Sequence, residues 1–425
     1  MYKVEIKKTR CAVSCKTFRI SSVGCRSNQY EAQAFRNQLE TVGYREAVDG
    51  EVCDICIINT CTVTASADRS SRYYIRQMVK KNPGATVIVT GCMASKAADI
   101  EGVSYIVPNK DKENLLSLIS DGDIPEFSIA KFHGNTRAFV KIQDGCNSFC
   151  SYCIIPYVRG RSRSRPIVDI VREVEVLVAN GHREVVFTGI NIGDFGEGGN
   201  STSLSCLVRA VDAVEGLERL RLSSIDPSDV NDDLFDAIIG GRSTCNSLHL
   251  VLQSGSNAVL KKMNRKYTRQ DFLSVVDRFR ADDPDFMFTT DCIVGFPGET
   301  DDDFRDTVDV VERVGFSHVH MFPFSVRPGV AAEKFSDRVP IDIIKRRKET
   351  LLNISDGIAH DVRDRYVGSK MVVLTENASV SDRNGACGHT GNFLPVRVKS
   401  HCLHNELVVV EITENTDTEL IGKVV

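Results

Sequence analysis

Residues 138–153 have the sequence AFVKIQDGCNSFCSYC, an apolar run that leads into a loop with three cysteines. The run has the composition of a buried β-strand. Cys146, Cys150 and Cys153 follow with the spacing C-x3-C-x2-C and without a fourth cysteine. Thiolates are soft ligands for zinc or iron–sulfur clusters. Three of them can bind three corners of one cubane cluster and leave the fourth iron open to a small molecule. The alternative is a zinc ion completed by a distant residue.

From Phe139 onward, six candidate strands alternate with helical stretches. The strands are AFVKIQDG, EVVFTG, RLRLSSI, SLHLVLQ, FMFTTDCIVGF and HVHMFPF, and the helices include VDIVREVEVLVANG and RQDFLSVVDRFRAD. This alternation predicts a parallel sheet that is closed or partly closed into a barrel. Loops after the carboxyl ends of the strands form the active site in such barrels. The three-cysteine loop follows the first strand, where that rule places chemistry.

The first third of the chain repeats one pattern three times, an apolar strand that ends at a cysteine. FRISSVGC, DICIINTC and TVIVTGC end at Cys25, Cys61 and Cys92. Parallel strands share one carboxyl edge, so these thiols are expected to meet in space. The alternative is that all three are small apolar packing residues. Asn28 and Glu31 are predicted to cap the first helix as a capping-box-like pair.

The last sixty residues contain the short alternating strands KMVVLTE, FLPVRVK and NELVVVEITE. They predict a small antiparallel β-barrel. The fold class is therefore α/β, with an N-terminal open parallel α/β domain and a central partial barrel of six strand–helix units before the small barrel. The predicted domain limits are 16–131, 132–365 and 366–425.

Composition constrains location and partners. The 425 residues include 15 cysteines, and the formal net charge is −4. No apolar run approaches the ~20 residues that cross a bilayer, and the N-terminus lacks a secretory pattern. A cytoplasmic location without membrane attachment is therefore predicted, where cysteines bind metals more often than they form disulfides. A run of arginines begins just after the cysteine loop and suits a phosphate-rich substrate; its members are Arg159, Arg161, Arg163 and Arg165.

Other cysteines carry weaker signals. Cys53 and Cys56 have C-x-x-C spacing but lie within a predicted strand, so packing is expected. The segments ACGH and HCLH, with Cys387, His389, His401, Cys402 and His404, fit no familiar zinc pattern. Cys11 and Cys15 lie in an N-terminal extension.

Together the motifs resemble the radical S-adenosylmethionine enzymes, and within them the tRNA methylthiotransferases, from about Lys16 to the end of the chain. The matching stretches are VGCRSNQYEAQ, INTCTVT, VTGCMA, QDGCNSFCSYCIIPYVRGRSRSRP, FTGINIGDFG, LQSGSNAVLKKMNRKYT and TTDCIVGFPGETDDDF. The C-terminal barrel resembles a TRAM domain, an RNA-binding module, at GHTGNFLPVRV. GCRSNQYE and RGRSRSRP are most similar to enzymes that act on N6-threonylcarbamoyladenosine.

The resemblance implies two 4Fe–4S clusters and S-adenosylmethionine as cofactors. One cluster would bind S-adenosylmethionine at its open iron, and its ligands would be Cys146, Cys150 and Cys153. The second would hold the sulfur or methylthio group, and its ligands would be Cys25, Cys61 and Cys92. A 5′-deoxyadenosyl radical would remove the hydrogen on C2 of the modified adenine beside the tRNA anticodon, giving the 2-methylthio product.

The resemblance also implies a cofactor pocket. Thr188, Gly189 and Asn191 in TGIN would line the S-adenosylmethionine site, although a plain turn explains the glycine equally well. Gln253 in LQSGS would contact the nucleoside part, or else stabilise its own loop. Expected partners are the tRNA anticodon loop and an electron donor such as flavodoxin or ferredoxin.

Three alternatives remain at this stage. The same chemistry could act on isopentenyladenosine in tRNA or on an aspartate of a ribosomal protein. A protein of a different class, a non-catalytic iron–sulfur RNA-binding sensor, would need no S-adenosylmethionine site. The sequence leaves the oligomeric state and the source of the inserted sulfur open.

Overall fold

The computed structural model describes residues 16–196, 202–376, 385–399 and 404–425. It contains an N-terminal parallel sheet, a central set of six parallel strands and a C-terminal closed barrel. Within these ranges, no helix combines the length and the hydropathy that crossing a bilayer requires. Cys11, Cys15, His401 and Cys402 lie outside the described residues.

The N-terminal sheet has the strand order β2-β1-β3-β4-β5, and all of its pairs are parallel. The central strand is buried along its whole length, which explains its continuous apolar sequence. The elements are β1 (Thr17–Ser22), α1 (Arg26–Thr41), β2 (Arg45–Glu46), β3 (Ile55–Thr60), α2 (Ala65–Lys81), β4 (Thr86–Gly91) and β5 (Tyr105–Ile106).

The six predicted strands of the central region are confirmed. They form two three-stranded parallel sheets, β10-β9-β6 and β11-β12-β13, which isolated bridges such as Ile225 to Leu250 join. The six strands are β6 (Arg137–Lys141), β9 (Glu184–Thr188), β10 (Arg219–Leu222), β11 (Ser247–His249), β12 (Met287–Val294) and β13 (His318–Pro323). Two short strands, β7 (Gln143–Asp144) and β8 (Arg163–Ser164), form a separate antiparallel pair. Because β6 and β13 do not pair within the described ranges, the barrel is partial.

Helices cover the outside of these strands. They are α3 (Ile155–Arg159), α4 (Ile167–Ala179), α5 (Leu204–Asp212), α6 (Asp232–Ile239), α7 (Asn257–Lys262), α8 (Arg269–Asp282), α9 (Asp301–Val314) and α10 (Ile341–Asp364). One apolar residue from each strand packs in the core beneath them: Val140, Val185, Leu220, Leu248, Phe288 and Val319. Side chains alternate along a strand, so the neighbouring positions form an opposite, polar inner face: Phe139, Glu184, Arg221, His249, Asp291 and His320.

Helix starts show where local sequence rules succeed and fail. Thr300 and Asp303 form a capping box at the start of α9, as the T-x-x-D spacing favours. The predicted cap at Asn28 is wrong, because α1 already begins at Arg26 with Cys25 as its N-cap. Asn28 and Glu31 are instead buried on the first turns of α1.

The C-terminal barrel is closed in the order β14-β15-β16-β18-β17. Its strands are β14 (Lys370–Thr375), β15 (Ala386–Thr390), β16 (Pro395–Val398), β17 (Leu407–Asn415) and β18 (Leu420–Val424). The expectation of a purely antiparallel barrel is corrected at one pair, because β16 and β18 run parallel. Five strands that alternate in direction cannot close a ring without one parallel pair.

Candidate active site

The N-terminal cysteines lie just beyond the carboxyl ends of neighbouring strands. Cys25 follows β1, Cys61 follows β3 and Cys92 follows β4. Gly24 makes the approach possible: its φ is +104°, and a Cβ there would lie 2.8 Å from the Cys61 Sγ. Burial, with smaller contributions from the nearby Cys92 and Cys25 thiols, raises the pKa of Cys61 to about 11. The fold therefore places the three thiols within electrostatic reach of one another.

Arg159 connects this trio to the central domain. Its Nε donates a hydrogen bond to the Cys92 Sγ at 3.1 Å. Its other nitrogens donate to Glu31 at 2.9 Å and to Asp144 at 2.8 Å. Arg159 is 2% exposed, so the expected phosphate contact does not hold for this residue. The guanidinium is used inside the protein, between a thiol and two carboxylates.

Two lysines complete a buried charge network around Arg159. Lys112 Nζ lies 2.6 Å from both Glu31 and Asp144, and Lys141 Nζ lies 3.3 Å from both. Burial alone would raise the pKa of Glu31, but Arg159 and the two lysines bring it below its ordinary value. Burial lowers the pKa of Lys112, yet two carboxylates at 2.6 Å favour its charged form. Three cations then face two carboxylates, and the excess positive charge lies beside the Cys92 sulfur.

The second trio lies on one loop after β6. Cys146 N donates to the Gly160 carbonyl at 3.1 Å, and Cys153 N donates to the Cys150 carbonyl at 3.0 Å. Burial raises the pKa of Cys153 to about 12, and the Cys150 and Cys146 thiols add to the shift. The loop therefore folds back on itself and brings the three sulfurs toward one centre.

Arg265 contacts this second trio through its guanidinium. Its Nη1 donates to the Cys150 Sγ at 3.2 Å, while Nε donates to the Tyr267 hydroxyl at 3.1 Å and Nη2 binds Asp226. Arg265 was not predicted as a site residue from the sequence. Its only signal is the basic segment LKKMNRKYTR, in which nothing distinguishes it from its neighbours.

The remaining arginines of the run divide by burial. Arg165 donates to Glu173 at 2.6 Å and is partly buried. Arg161 is exposed and lies over the Phe149 ring, 4.3 Å from its centroid. Arg163 is also exposed, with its guanidinium 3.9 Å from Asp144. Arg161 and Arg163 are thus the members of the run that face solvent.

The TGIN loop after β9 is tied to the second trio. The Gln143 Oε1 accepts hydrogen bonds from Ile190 N at 3.0 Å and from Asn191 N at 3.1 Å. Asn191 donates to Asp194 at 2.9 Å, and Asp194 accepts from the backbone of Asn147 at 3.2 Å. The loop that begins at Thr188 therefore lies beside the cysteine loop.

Gly189 and Gln253 have geometries that suit a binding cavity. A Cβ on Gly189 would lie 2.9 Å from the Gln143 Oε1, so the loop packs too tightly for a side chain. Gln253 has φ +60°, a left-handed conformation that non-glycine residues rarely adopt. Its buried Oε1 has no hydrogen-bond partner within the described residues. A buried amide oxygen without a hydrogen-bond partner is suited to accept a hydrogen bond from a polar ligand.

The spacing of the thiols separates the two metal hypotheses. Within the described ranges, one group of three His, Cys, Asp or Glu residues has all of its possible ligand atoms within 4.8 Å of one another. The group consists of His249, Asp291 and His320. Three thiolates bound to one zinc at about 2.3 Å would lie about 3.8 Å apart, and neither cysteine trio is that compact. Cubane ligands bind different irons and lie farther apart. Trios of this spacing are compatible with cluster ligands, and each has a guanidinium on one sulfur.

The other cysteine signals stay outside the site. Cys53 and Cys56 are buried in the core of the N-terminal sheet, and their sulfurs are 3.3 Å apart. His389 contacts Glu376 at 2.9 Å and stacks on Phe393 in the C-terminal barrel.

Known proteins match the chain along most of its length. Residues 140–311 match the Radical SAM superfamily, and residues 17–104 match the uncharacterized protein family UPF0004. The threonylcarbamoyladenosine tRNA methylthiotransferase MtaB of Chlamydia pneumoniae is 47% identical over 418 residues, which cover 96% of this chain and 98% of the relative. The chain belongs to the radical S-adenosylmethionine methylthiotransferases.

Further methylthiotransferases are more distant. The MtaB protein of Bacillus subtilis is 34% identical over 90% of both chains. The tRNA-2-methylthio-N(6)-dimethylallyladenosine synthase of Acetivibrio thermocellus is 33% identical over 100% of this chain and 93% of its own. Membership in this methylthiotransferase family implies a 4Fe–4S cluster and S-adenosylmethionine as cofactors.

Among solved structures, the radical S-adenosylmethionine methyltransferase TsrM of Kitasatospora setae has a TM-score of 0.56 at 16% identity. The match covers 86% of this chain and 79% of TsrM. At this identity it supports the fold alone.

Proposed function

We propose that this protein adds a methylthio group to C2 of N6-threonylcarbamoyladenosine next to the anticodon of tRNA. The observation that carries the proposal is the adjacency of two thiol trios from different sheets. Cys146 N bonds the Gly160 carbonyl, and the preceding residue, Arg159, reaches the Cys92 sulfur. A reaction that removes a hydrogen at one centre and delivers sulfur from another needs such adjacency.

Six cysteines would hold two 4Fe–4S clusters, Cys146, Cys150 and Cys153 the first and Cys25, Cys61 and Cys92 the second. When bound, the first cluster and S-adenosylmethionine supply the radical that removes the C2 hydrogen, and the second cluster supplies the sulfur. Burial raises the pKa of Cys92, and the charge of Arg159 opposes this shift, so the guanidinium would stabilise a thiolate there. Arg159 and Arg265 each donate a hydrogen bond to a cysteine sulfur. These hydrogen bonds would stabilise the thiolate ligands and tune the reduction potentials of the clusters.

The chain's own polar groups would position the cosubstrate. Thr188, Gly189 and Asn191 form the loop that packs beside the first trio, and Gln253 offers an unpartnered amide oxygen. In this proposal that oxygen accepts a hydrogen bond from the nucleoside part of S-adenosylmethionine. Gly189 lets this loop pack directly against Gln143, where the Cβ of any other residue would clash.

The tRNA would approach the exposed side of the cysteine loop. Arg161 and Arg163 face solvent there and suit phosphate contacts. C2 of a stacked adenine is inaccessible, so the modified base must be splayed out of the anticodon loop. An electron donor such as flavodoxin or ferredoxin and a cytoplasmic location complete the proposal.

A second candidate keeps the chemistry but acts on dimethylallyladenosine. It has support in the 33% identity to the Acetivibrio thermocellus enzyme over the whole chain. The 47% identity to the Chlamydia pneumoniae relative favours threonylcarbamoyladenosine. A ribosomal-protein aspartate has no comparable support.

The test uses anaerobically reconstituted protein with reductant, S-adenosylmethionine and two synthetic anticodon stem-loops. One carries N6-threonylcarbamoyladenosine and the other N6-dimethylallyladenosine. We expect the 2-methylthio product on the first at a rate at least about tenfold higher than on the second. Mass spectrometry of the nucleosides measures both rates.

Preference for the dimethylallyl stem-loop would replace the proposal with the second candidate. Failure to form 5′-deoxyadenosine, in protein with full iron content, would favour the non-catalytic sensor.

A further inference from the structure

Arg26 is a cation placed between the two halves of the site. It is the first residue of α1 and directly follows Cys25. Its side chain is half-buried, and its guanidinium carbon lies 5.7 Å from the centroid of the Phe139 ring. Phe139 belongs to the inner face of the central strands. Arg26 therefore extends from the N-terminal cysteine trio over the polar inside of the partial barrel.

The guanidinium of Arg26 has no hydrogen bond and no ion pair within the described ranges. Other arginines of the site differ in this respect. Arg159 binds two carboxylates, Arg165 binds Glu173, and Arg221 binds Glu184 at 2.9 Å. A partly desolvated charge without a partner costs free energy unless a ligand supplies one.

The surroundings leave room for one more negative charge. Glu184 is already engaged by Arg221 at 2.9 Å, and Asp291 lies 3.4 Å from the His249 Nε2. Both carboxylates favour the charge of Arg26 from a distance, but neither lies within 4.0 Å of it.

The other cations and the histidines of the inner face do not supply a negative charge for Arg26. Burial, Arg137 and Arg221 lower the pKa of Arg26. Burial also lowers the pKa of His320 to about 4, with His318 adding to the shift. His320 is therefore neutral near pH 7 and does not compete with Arg26 for an anion.

We propose that Arg26 binds the carboxylate of the threonylcarbamoyl group and so selects this substrate. The inference rests on the proposed function. The threonyl group ends in a carboxylate, which a guanidinium can bind through two parallel hydrogen bonds. A dimethylallyl group has no charge, and its binding would leave Arg26 buried without a partner. The same residue therefore attracts one substrate and rejects the other.

The amino-acid end of S-adenosylmethionine is another source of carboxylate. Arg26 adjoins Cys25, in the N-terminal trio, whereas S-adenosylmethionine would bind at the trio of the cysteine loop. This position favours the nucleoside as the source. The two sources give different kinetic results.

The experiment compares the wild type with Arg26→Gln on two stem-loops. One carries N6-threonylcarbamoyladenosine, and the other carries its threoninamide analogue, in which the carboxylate is an uncharged amide. We expect the wild type to prefer the acid by about 10- to 100-fold in kcat/KM. Arg26→Gln should lose this preference and leave the KM for S-adenosylmethionine and the iron content unchanged. Arg36→Gln is the matched control, because Arg36 lies on the same helix and pairs with Glu46 at 2.8 Å.

Preference for the acid that persists in Arg26→Gln would overturn the inference. A raised KM for S-adenosylmethionine, with equal losses on both stem-loops, would also overturn it and assign Arg26 to the cosubstrate. If Arg26→Gln loses iron, the same comparison is made with Arg26→Lys, which keeps the positive charge. A preference of Arg26→Lys for the acid stem-loop over the amide stem-loop supports the inference, and equal rates on the two stem-loops overturn it. A wild type that is inactive on both stem-loops would contradict the proposed function itself.

Discussion

The two cysteine trios are assembled by different structural routes. Cys146, Cys150 and Cys153 lie within eight residues on one loop, so local chain geometry alone keeps them close. Cys25, Cys61 and Cys92 come from three strand ends, 36 and 31 residues apart. Only the parallel pairing of β1, β3 and β4 brings these three together. A local sequence motif keeps the first trio together, whereas the second trio depends on the pairing of strands that are distant in sequence.

The difference extends to what each site demands of its surroundings. The loop trio receives one hydrogen bond from Arg265 of its own domain. The strand-end trio depends on Gly24 for its close approach and on Arg159, from α3 of the central region, for charge balance. A site assembled from distant residues is therefore more sensitive to substitutions outside its ligands.

Removal of either trio should give the largest effect and separate the two roles. With Cys146, Cys150 and Cys153 all replaced by Ala, iron should fall from about eight to about four per chain. Both 5′-deoxyadenosine and methylthio product should disappear. With Cys25, Cys61 and Cys92 replaced, the iron loss should be equal, but 5′-deoxyadenosine should still form. Iron assays and product analysis measure these outcomes. Loss of all iron in either variant would show that the two sites are not independent.

Arg159→Leu should have the next largest effect. It removes the donor to Cys92 and two buried ion pairs, whose loss typically costs 3–5 kcal/mol. We expect about 3 kcal/mol, the low end, because Lys112 and Lys141 still neutralise the two carboxylates. The shift of the urea midpoint of the iron-free chain gives the stability change. Iron should be lost mainly from the strand-end trio.

Arg161→Leu is the matched control for Arg159→Leu. Arg161 is exposed and contacts the Phe149 ring, a contact of less than about 1 kcal/mol at such a site. Equal destabilisation by the two substitutions would contradict a stabilising role for the buried network.

Gly24→Ala should give the smallest effect of the three. Alanine is strained at φ +104°, and its Cβ would lie 2.7 Å from the Cys61 Cβ. We expect a cost of about 1–3 kcal/mol and partial loss of iron from the strand-end trio. Gly43→Ala is the control, since Gly43 has φ +87° with open space around it. It should cost about 1 kcal/mol and leave iron unchanged. Equal iron content in the two variants would refute the importance of the close approach.

Much of the fold follows from sequence periodicity. The alternation of strands and helices predicts the six central strands, and the apolar runs predict β1, β3 and β4. Two strands of the C-terminal barrel, β15 and β18, were not predicted. The sequence of β15, ACGHT, contains a glycine and one β-branched residue, Thr390, at its end, so its pairing with β14 and β16 decides its conformation.

The site shows a sharper limit. Sequence spacing identifies thiols that are suited to share a ligand, because cysteines are rare and chemically distinct. It does not distinguish a buried arginine from an exposed one within an alternating run, and Arg159 was expected to contact RNA. Asn28 and Glu31 fit a capping pattern, yet the side chains of both accept hydrogen bonds from Arg159. Such roles depend on contacts between residues more than 100 positions apart, which no local pattern contains.

The hydrogen bond from Arg159 to Cys92 joins the end of α3 to the segment after β4. Under the proposed function, cluster binding at the strand-end trio and the contact between these two regions are therefore thermodynamically linked. By reciprocity, the factor by which association strengthens iron retention equals the factor by which iron retention strengthens association. Oxidative destruction of the strand-end cluster would then loosen the contact between these two regions as well as stop the transfer of sulfur.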